Sequence, residues 1–181
     1  MSDLASPFQL SRPTIRDYVT LLERMFLLDQ LPPWHSNRLS RLVKTPKLHL
    51  GDTGIACVLL GLDADALAED RATLGQLLET FAFQELRRQA SWQEDEIRFH
   101  HFRDRDGFEV DLVLERPGGD LAGVEVKAGA TVTAADFRGL QKLKDGTGKY
   151  FRAGVVLYDG EMAARFGEGL YAVPLSQLLA K

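Results

Sequence analysis

Three acidic residues and one lysine stand where the sequence is otherwise apolar. Phe108-Glu109-Val110-Asp111-Leu112-Val113-Leu114 sets two carboxylates into a strand-like run, and Gly123-Val124-Glu125-Val126-Lys127 sets a carboxylate and an amine into the next. Side chains alternate across a strand, so Glu109 and Asp111 share one face while Phe108, Val110, Leu112 and Leu114 share the other. Glu125 and Lys127 oppose Val124 and Val126 in the same way. The turn Pro117-Gly118-Gly119-Asp120 makes the two runs a hairpin, and its register allows both polar faces on one side of a sheet. Carboxylates brought this close repel, and one must take a proton unless a cation neutralises them. A divalent ion such as Mg²⁺ or Mn²⁺ does so with oxygen ligands and leaves positions for water and phosphate oxygens. A lysine beside it would position or deprotonate the attacking water, or stabilise charge on the phosphoryl oxygens. The chemistry such a set serves is phosphodiester hydrolysis.

The surrounding pattern supplies the elements that would position these groups. Ser11-Arg12-Pro13-Thr14 opens a helix over 14–25 with Ile15, Tyr18, Val19, Leu22 and Met25 at helical spacing. Phe26–Leu31 reads as extended and is ended by Pro32-Pro33; Lys47–Leu50 reads as a second strand. Asp52-Thr53-Gly54 caps a short helix through Leu60, in which Cys57 reads as core, and 61–72 is a polar connection. A long helix over about Leu74–Gln89 follows, with Leu77, Leu78, Phe81, Ala82, Glu85 and Leu86 as its stripe. Strands are predicted at Ile97–Arg103, Phe108–Glu115 and Leu121–Lys127, then a helix opened by Thr133 and a buried strand at Ala153–Tyr158. Gly169–Val173 reads as a last edge strand and Leu175–Ala180 as a terminal helix.

Charge divides the chain. Its 181 residues carry a net −4, but residues 1–50 hold seven basic and four acidic residues, a net +3, and the remainder a net −7. The balance excludes a uniformly basic nucleic-acid binder, and the single Cys excludes an internal disulfide. No apolar run approaches the ~18 residues needed to span a bilayer, and the N-terminus has no secretory signal pattern, so a cytoplasmic location is expected. Helix, strand, basic loop and strand are the sequence of elements that ends a winged helix-turn-helix, which makes Arg12, Arg16, Arg38, Arg41, Lys44 and Lys47 candidates for the phosphate backbone. A helical packing element with a solvated basic loop accounts for the same pattern.

Other candidates are weaker. His100 and His101 are adjacent, so on a strand they face opposite ways and do not share one metal. Trp34 and Trp92 read as core or interface caps, and Arg103-Asp104-Arg105-Asp106 as a solvated turn of mixed charge.

Asp111 followed after a hairpin by Glu125-Val126-Lys127 resembles the PD-(D/E)XK motif of restriction-endonuclease-like nucleases, with Val110-Asp111 in place of its first pair. Glu79, in Gly75-Gln76-Leu77-Leu78-Glu79-Thr80-Phe81, resembles the helical acidic residue that precedes their sheet, and the order αβββαβ resembles their core. A wider resemblance covers nearly the whole chain. Residues 13–31, Pro46-Lys47-Leu48-His49-Leu50-Gly51-Asp52-Thr53-Gly54, Gly75, Glu79, Glu85-Leu86, Glu109-Val110-Asp111 and Glu125-Val126-Lys127 are similar to the C-terminal module of prokaryotic AAA+-type ATP-binding proteins, usually classed as a domain of unknown function and normally preceded by an ATPase domain.

The resemblance implies Glu79, Asp111 and Glu125 as ligands of Mg²⁺ or Mn²⁺, with the Val126 carbonyl a further one, and Lys127 as the catalytic lysine. It assigns Glu109 and Glu85 to acidic positions without a role. No Walker A pattern occurs, so an ATPase domain would be supplied in cis or by a partner.

The expectation is therefore an α/β (α+β) protein with a winged-helix-like region at 1–50 and a restriction-endonuclease-like αβββαβ domain at 51–181. It would hydrolyse nucleic acid, DNA in preference, with a divalent metal. The alternative is an inactive module that binds nucleic acid or protein on behalf of an ATPase; oligomeric state is left open.

Overall fold

The computed structural model describes residues 9–35 and 42–179. Arg38 and Arg41 lie outside the described residues. The architecture is mixed α/β, with helices packed on two sheets.

Helix α1 (Arg12–Arg24) begins at Ser11, whose Oγ accepts the Thr14 N–H, and has Pro13 in its first turn. Only Ile15 and Val19 of its predicted stripe are buried; Tyr18, Leu22 and Met25 are exposed, because the helix packs on little more than Leu28 and Leu48. Strands β1 (Leu28–Leu31) and β2 (Lys47–Leu50) form an antiparallel pair, with Leu31 opposite Lys47. One helix and this pair are what the described residues before Gly51 contain. Gly51 is required by close approach: a Cβ there would stand 2.4 Å from the Phe26 carbonyl oxygen.

Between β1 and β2 the chain leaves the pair and lines the edge of the main sheet. His101 donates its backbone N–H to Pro32 O, and Trp34 donates to His101 O at 2.7 Å. Leu31 and Trp34 are thereby buried in the two principal cores.

Helices α2 (Thr53–Leu60) and α3 (Ala64–Glu69) follow, capped by Asp52 and Asp63. The predicted polar connection thus contains a helix. Ala56 alone of α2 is buried, while Ile55, Val58, Leu59 and Leu60 are exposed and Cys57 is intermediate, against the expectation of a core helix. Helix α4 (Arg71–Ala90) is the long helix predicted from its periodicity, extended at both ends.

The six-stranded sheet has the order β3-β4-β5-β6-β8-β7. Strands β3 (Arg98–Arg103), β4 (Glu109–Glu115) and β5 (Leu121–Lys127) are antiparallel neighbours. A 3₁₀ turn (Ala134–Phe137) and helix α5 (Arg138–Thr147) cross over to β6 (Phe151–Tyr158), parallel to β5. Strand β8 (Leu170–Pro174) is parallel to β6, and β7 (Ala164–Gly167) pairs with it outside. The predicted last strand is therefore internal, and the edge is β7, which is too short and polar to have signalled itself. The predicted terminal helix is a 3₁₀ helix over Leu175–Leu179.

Each face of this sheet carries its own core. On one, Leu140 and Leu143 of α5 pack with Phe102, Val110, Val113 and Val156. On the other, Ala82 and Phe83 of α4 pack with Leu31, Leu112, Val124 and Leu157.

Val110 and Leu112 therefore face opposite ways, and the expected shared face of Phe108, Val110, Leu112 and Leu114 does not form. The cause is a β-bulge. His100 pairs with Val113 and Phe102 with Val110, so Asp111 and Leu112 stand together opposite His101. A bulge reverses alternation and re-aims the side chains beside it.

Candidate active site

The bulge turns Asp111 toward the place where β4 and β5 part. Their ladder ends at the Leu112–Val124 pair. One residue further, the side chain takes over from the backbone: Asp111 Oδ2 accepts the Val126 N–H at 3.0 Å. That bond holds the strands at a fixed divergence. The opening exposes Glu109 and Asp111 from one strand and Glu125 and Lys127 from the other.

Helix α4 brings Glu79 to the same opening. Glu79 precedes Ala82 and Phe83 by three and four residues, so it lies on the face they bury, one turn closer to the helix start. On the opposite layer α5 approaches β4 closely at Gly139, where a Cβ would stand 1.8 Å from the Glu109 carbonyl oxygen. Glycine at this position lets the helix sit against the strand that carries both acids.

The sixth group is one the sequence assigned elsewhere. Lys47, expected at the start of a strand as a phosphate-backbone contact, points from β2 into the acids. Its Nζ lies 2.8 Å from Glu79 Oε1, 2.9 Å from Glu109 Oε1 and 3.0 Å from Asp111 Oδ1. Three donors meet three carboxylates, which saturates the ammonium. The second cation, Lys127, lies 3.2 Å from Glu125 Oε1. Glu109 also has Arg103 at its exposed rim, 3.7 Å away.

Burial and charge act together on these groups. Burial works to lower the Lys47 pKa, but Asp111, Glu79 and Glu109 overcome it and the ammonium is held firmly protonated. Glu79 is raised by burial and by Asp111 against the pull of Lys47. Burial works to raise Glu109, but Lys47 and Arg103 prevail and it is lowered. Glu125 is pushed up to about 8, by burial first and by Asp111 second, with Lys127 opposing. Its Oε2 is buried without a hydrogen-bond donor. Lys127 is raised, because Glu125 and Asp111 outweigh its burial.

His49, beside Lys47 on β2, is buried, shares a 3.0 Å hydrogen bond with Thr80 and is lowered to about 4 by burial and by Lys47. It is a neutral neighbour 3.8 Å from Glu79.

Two clefts meet at Glu109. One of about 460 Å³ runs between β2, α2 and α4, past Lys47, Glu79, Leu48 and Leu60. The other, of about 350 Å³, runs past Glu125, Lys127, Asp136 and Arg138.

A divalent cation is tested by this donor set. Carboxylate oxygens are the ligands a hard ion takes, and the unpartnered, buried Glu125 Oε2 is a group that a cation would satisfy. Among the described residues, however, no group of three or more acidic, His or Cys side chains is arranged to hold a metal as it stands. Lys47 occupies the point toward which Glu79, Glu109 and Asp111 converge. The donor chemistry fits, with Lys47 in the place of the ion.

The remaining candidates fall outside this cluster. The Glu85 carboxylate turns to Arg88 and Gln89 on its own helix. Arg12, Arg16 and Lys44 are exposed. Asp104, expected in a solvated turn, is buried, and its Oδ1 accepts the backbone N–H groups of Asp106 and Phe108. His101 donates through Nε2 to Thr45 O, while His100 lies 3.6 Å from Glu115, so the two do serve different surroundings. Trp34 is buried and Trp92 exposed. No helix among the described residues is long and apolar enough to cross a membrane.

Sequence reasoning missed Lys47 as a site residue. The segment Lys47-Leu48-His49-Leu50 was read as an alternating strand, and the signal passed over is that such a strand sets Lys47 and His49 on one face.

Comparison with known proteins supplies relatives without an activity. The chain is 27% identical over 98% of its length to uncharacterized protein Rv2008c of Mycobacterium tuberculosis and to uncharacterized protein Mb2031c of Mycobacterium bovis. It spans 38% of the length of these curated relatives. No solved structure matches it significantly. Residues 1–66 match a domain of unknown function, DUF8612. Residues 74–178, which carry Glu79, Glu109, Asp111, Glu125 and Lys127, match the domain of unknown function DUF4143, and the chain belongs to that family.

Proposed function

We propose that this is a restriction-endonuclease-like module whose carboxylate–lysine site hydrolyses nucleic-acid phosphodiesters with Mg²⁺ or Mn²⁺. The observation that carries the reading is the convergence on Asp111. Its Oδ1 shares the Lys47 ammonium with Glu79, its Oδ2 holds the Val126 amide, and Glu125 is raised by its charge. Glu79, Asp111 and Glu125 would hold the ion. When bound, such an ion supplies Lewis-acid polarisation of the phosphate and a water of lowered pKa.

The chain's own residues divide the remaining work. Lys127 would position or deprotonate the attacking water or stabilise charge at the phosphoryl oxygens; in the metal-free site burial works to lower its pKa, but Glu125 and Asp111 prevail and raise it. Arg138 lines the same cleft and is a second cation among its acidic residues. Arg12, Arg16 and Lys44 are placed in solvent to meet a duplex backbone, DNA in preference, in the winged-helix-like manner; Arg38 and Arg41 belong to the same proposal.

Cleavage of single- and double-stranded DNA and RNA in Mg²⁺ and in Mn²⁺ tests the activity. Lys127→Ala and Asp111→Ala each reduce it by about a hundredfold or more. Absence of cleavage by the parent, or equal cleavage by the variants, overturns it. Lys44→Glu lowers affinity and the salt slope if the basic segment is the contact.

A second reading has a specific observation in its favour. Lys47 neutralises three carboxylates without a metal, as a site retained for binding would require. On that reading the module is inactive and delivers nucleic acid or protein to an ATPase, attached or separate, in a prokaryotic cytoplasm.

A further inference from the structure

Lys47 reaches the site from β2, a strand outside the sheet that carries the acids, and does what a metal ion would do there. A divalent ion sits ~2.1 Å from a carboxylate oxygen. Glu79 Oε1 and Asp111 Oδ1 each face an ammonium at 2.8 and 3.0 Å, so neither takes a metal while the ammonium stays. Asp111 has no spare oxygen either, since Oδ2 is committed to Val126. The one buried carboxylate oxygen among the described residues without a donor is Glu125 Oε2.

The strand that carries the lysine is held by packing as well as by polar ties. Leu48 packs near Ile15 and Val19, and the buried His49 ring lies 4.9 Å from the ring of Phe83. His49 bonds to Thr80, and the Gln84 amide donates to Leu50 O at 3.1 Å. The Lys47 side chain, partly exposed on the larger cleft, can swing its ammonium away from the acids while β2 and the two cores of the sheet stay in place.

We propose that Lys47 is a displaceable counter-ion that sets the cation affinity of the site: a divalent ion enters Glu79 and Asp111 only as the Lys47 ammonium leaves them. This rests on the metal-dependent reading above. The metal-free protein is thereby held in a neutralised state, and anything that draws the ammonium away opens the site. Such a role differs from a permanent structural lock, which a metal would not move, and from a phosphate contact, which would leave metal affinity unchanged.

The test uses Mn²⁺ alone, without nucleic acid, titrated by calorimetry and by the electron paramagnetic resonance of free Mn²⁺. Lys47→Met binds Mn²⁺ about tenfold or more tighter than the parent, and Asp111→Asn in either background loses it. Equal or weaker binding by Lys47→Met overturns the inference and leaves the metal reading intact. No Mn²⁺ binding by either protein overturns both.

Because Lys47→Met also removes a counter-charge on which folding depends, the parent is examined in parallel. Acetylation by acetic anhydride, read by mass spectrometry, rises several-fold at Lys47 when Mn²⁺ is added, with Lys142 and Lys144 as unchanged references. Labelling of Lys47 that is indifferent to Mn²⁺ overturns the inference.

Discussion

On the six-stranded sheet, α4 and α5 each close one face with side chains that lose nearly all contact with water, Phe102, Leu112, Leu140 and Leu143 among them. The α1–β1–β2 region has two buried residues in its own cluster, Ile15 and Val19, and leaves Leu21, Met25 and Phe26 exposed. Beyond Leu31 and the His49 ring, which join the core beside Phe83, it is tied down by polar contacts: Lys47 to three acids, His49 to Thr80, and Asp29 to Gln84 and Arg87. Apolar burial does not titrate with pH and is not screened by salt, whereas every one of these polar ties responds to charge. The scaffold of the site is therefore fixed, and the grip of the lysine that reaches into it is conditional.

The largest expected effect separates the two regions outright. Phe102→Ala removes a fully buried ring from the sheet and costs about 3–5 kcal/mol of global stability. Val19→Ala costs the whole molecule less than about 1 kcal/mol and speeds hydrogen exchange in α1 alone. Equal losses in denaturant unfolding would show that the molecule opens as one unit and end the distinction.

Next in size is the contrast between the two lysines. Lys47 serves three partly buried carboxylates, so Lys47→Ala costs about 3 kcal/mol in metal-free buffer. Lys127 serves one and is over a third exposed, so Lys127→Ala costs less than about 1 kcal/mol. A reversal of this order would mean that Glu125, not Asp111, is the electrostatic centre.

Third is a pH effect that belongs to the sheet. Glu125 has a folded pKa near 8, above its unfolded value, so the folded state holds a proton that the unfolded chain has lost. Its contribution is whole below the unfolded pKa and disappears as pH rises toward 8. Stability of the metal-free protein falls by about 1.4 kcal/mol per pH unit across that window. The groups facing Glu125 are Asp111, Lys127 and Lys47. Glu125→Gln keeps the shape, cannot ionise and flattens the slope; an unchanged slope places its source elsewhere. His49 acts in the opposite sense: lowered to about 4, it favours the folded state above its unfolded pKa and loses that contribution as pH falls toward 4.

How far these regions were legible in the sequence follows the same division. Strands β3 to β6 and helices α4 and α5 were readable because their periodicity reports burial; Asp111, Glu125 and Lys127 were readable as polar exceptions to it, and Glu79 only through the family resemblance. The bulge was not, since an extra residue in a register leaves the letters unchanged. That is why Asp111 reached the site by a different route from the alternation that nominated it. Lys47 was misplaced because a cation in a basic stretch is ordinary. Its distinction is a tertiary fact, that β1 pairs with β2 and sets Leu31 and Lys47 side by side over α4. The stripe of α1 and the apolar run of α2 promised burial that the fold does not supply, since periodicity names a face but not what covers it.

The smallest expected effect bears most directly on whether the grip of β2 is electrostatic. At 1 M NaCl the Debye length falls to ~3 Å, comparable with the ion pairs themselves, and exposed pairs such as Asp29–Arg87 lose most of their worth. Amides of Leu28–Leu31 and Lys47–Leu50 then exchange about threefold faster, a change of about 0.6 kcal/mol, while those of β4 and β5 hold their rates. Chloride salts also raise the cost of exposing Leu48, which opposes the effect, so the sodium salts of chloride and sulfate bracket it. Sulfate strengthens apolar burial and should slow both regions; chloride acts chiefly by screening and should divide them. Equal acceleration in both regions under chloride would make the polar ties incidental, and Lys47 would then be held in the site by packing and not by charge.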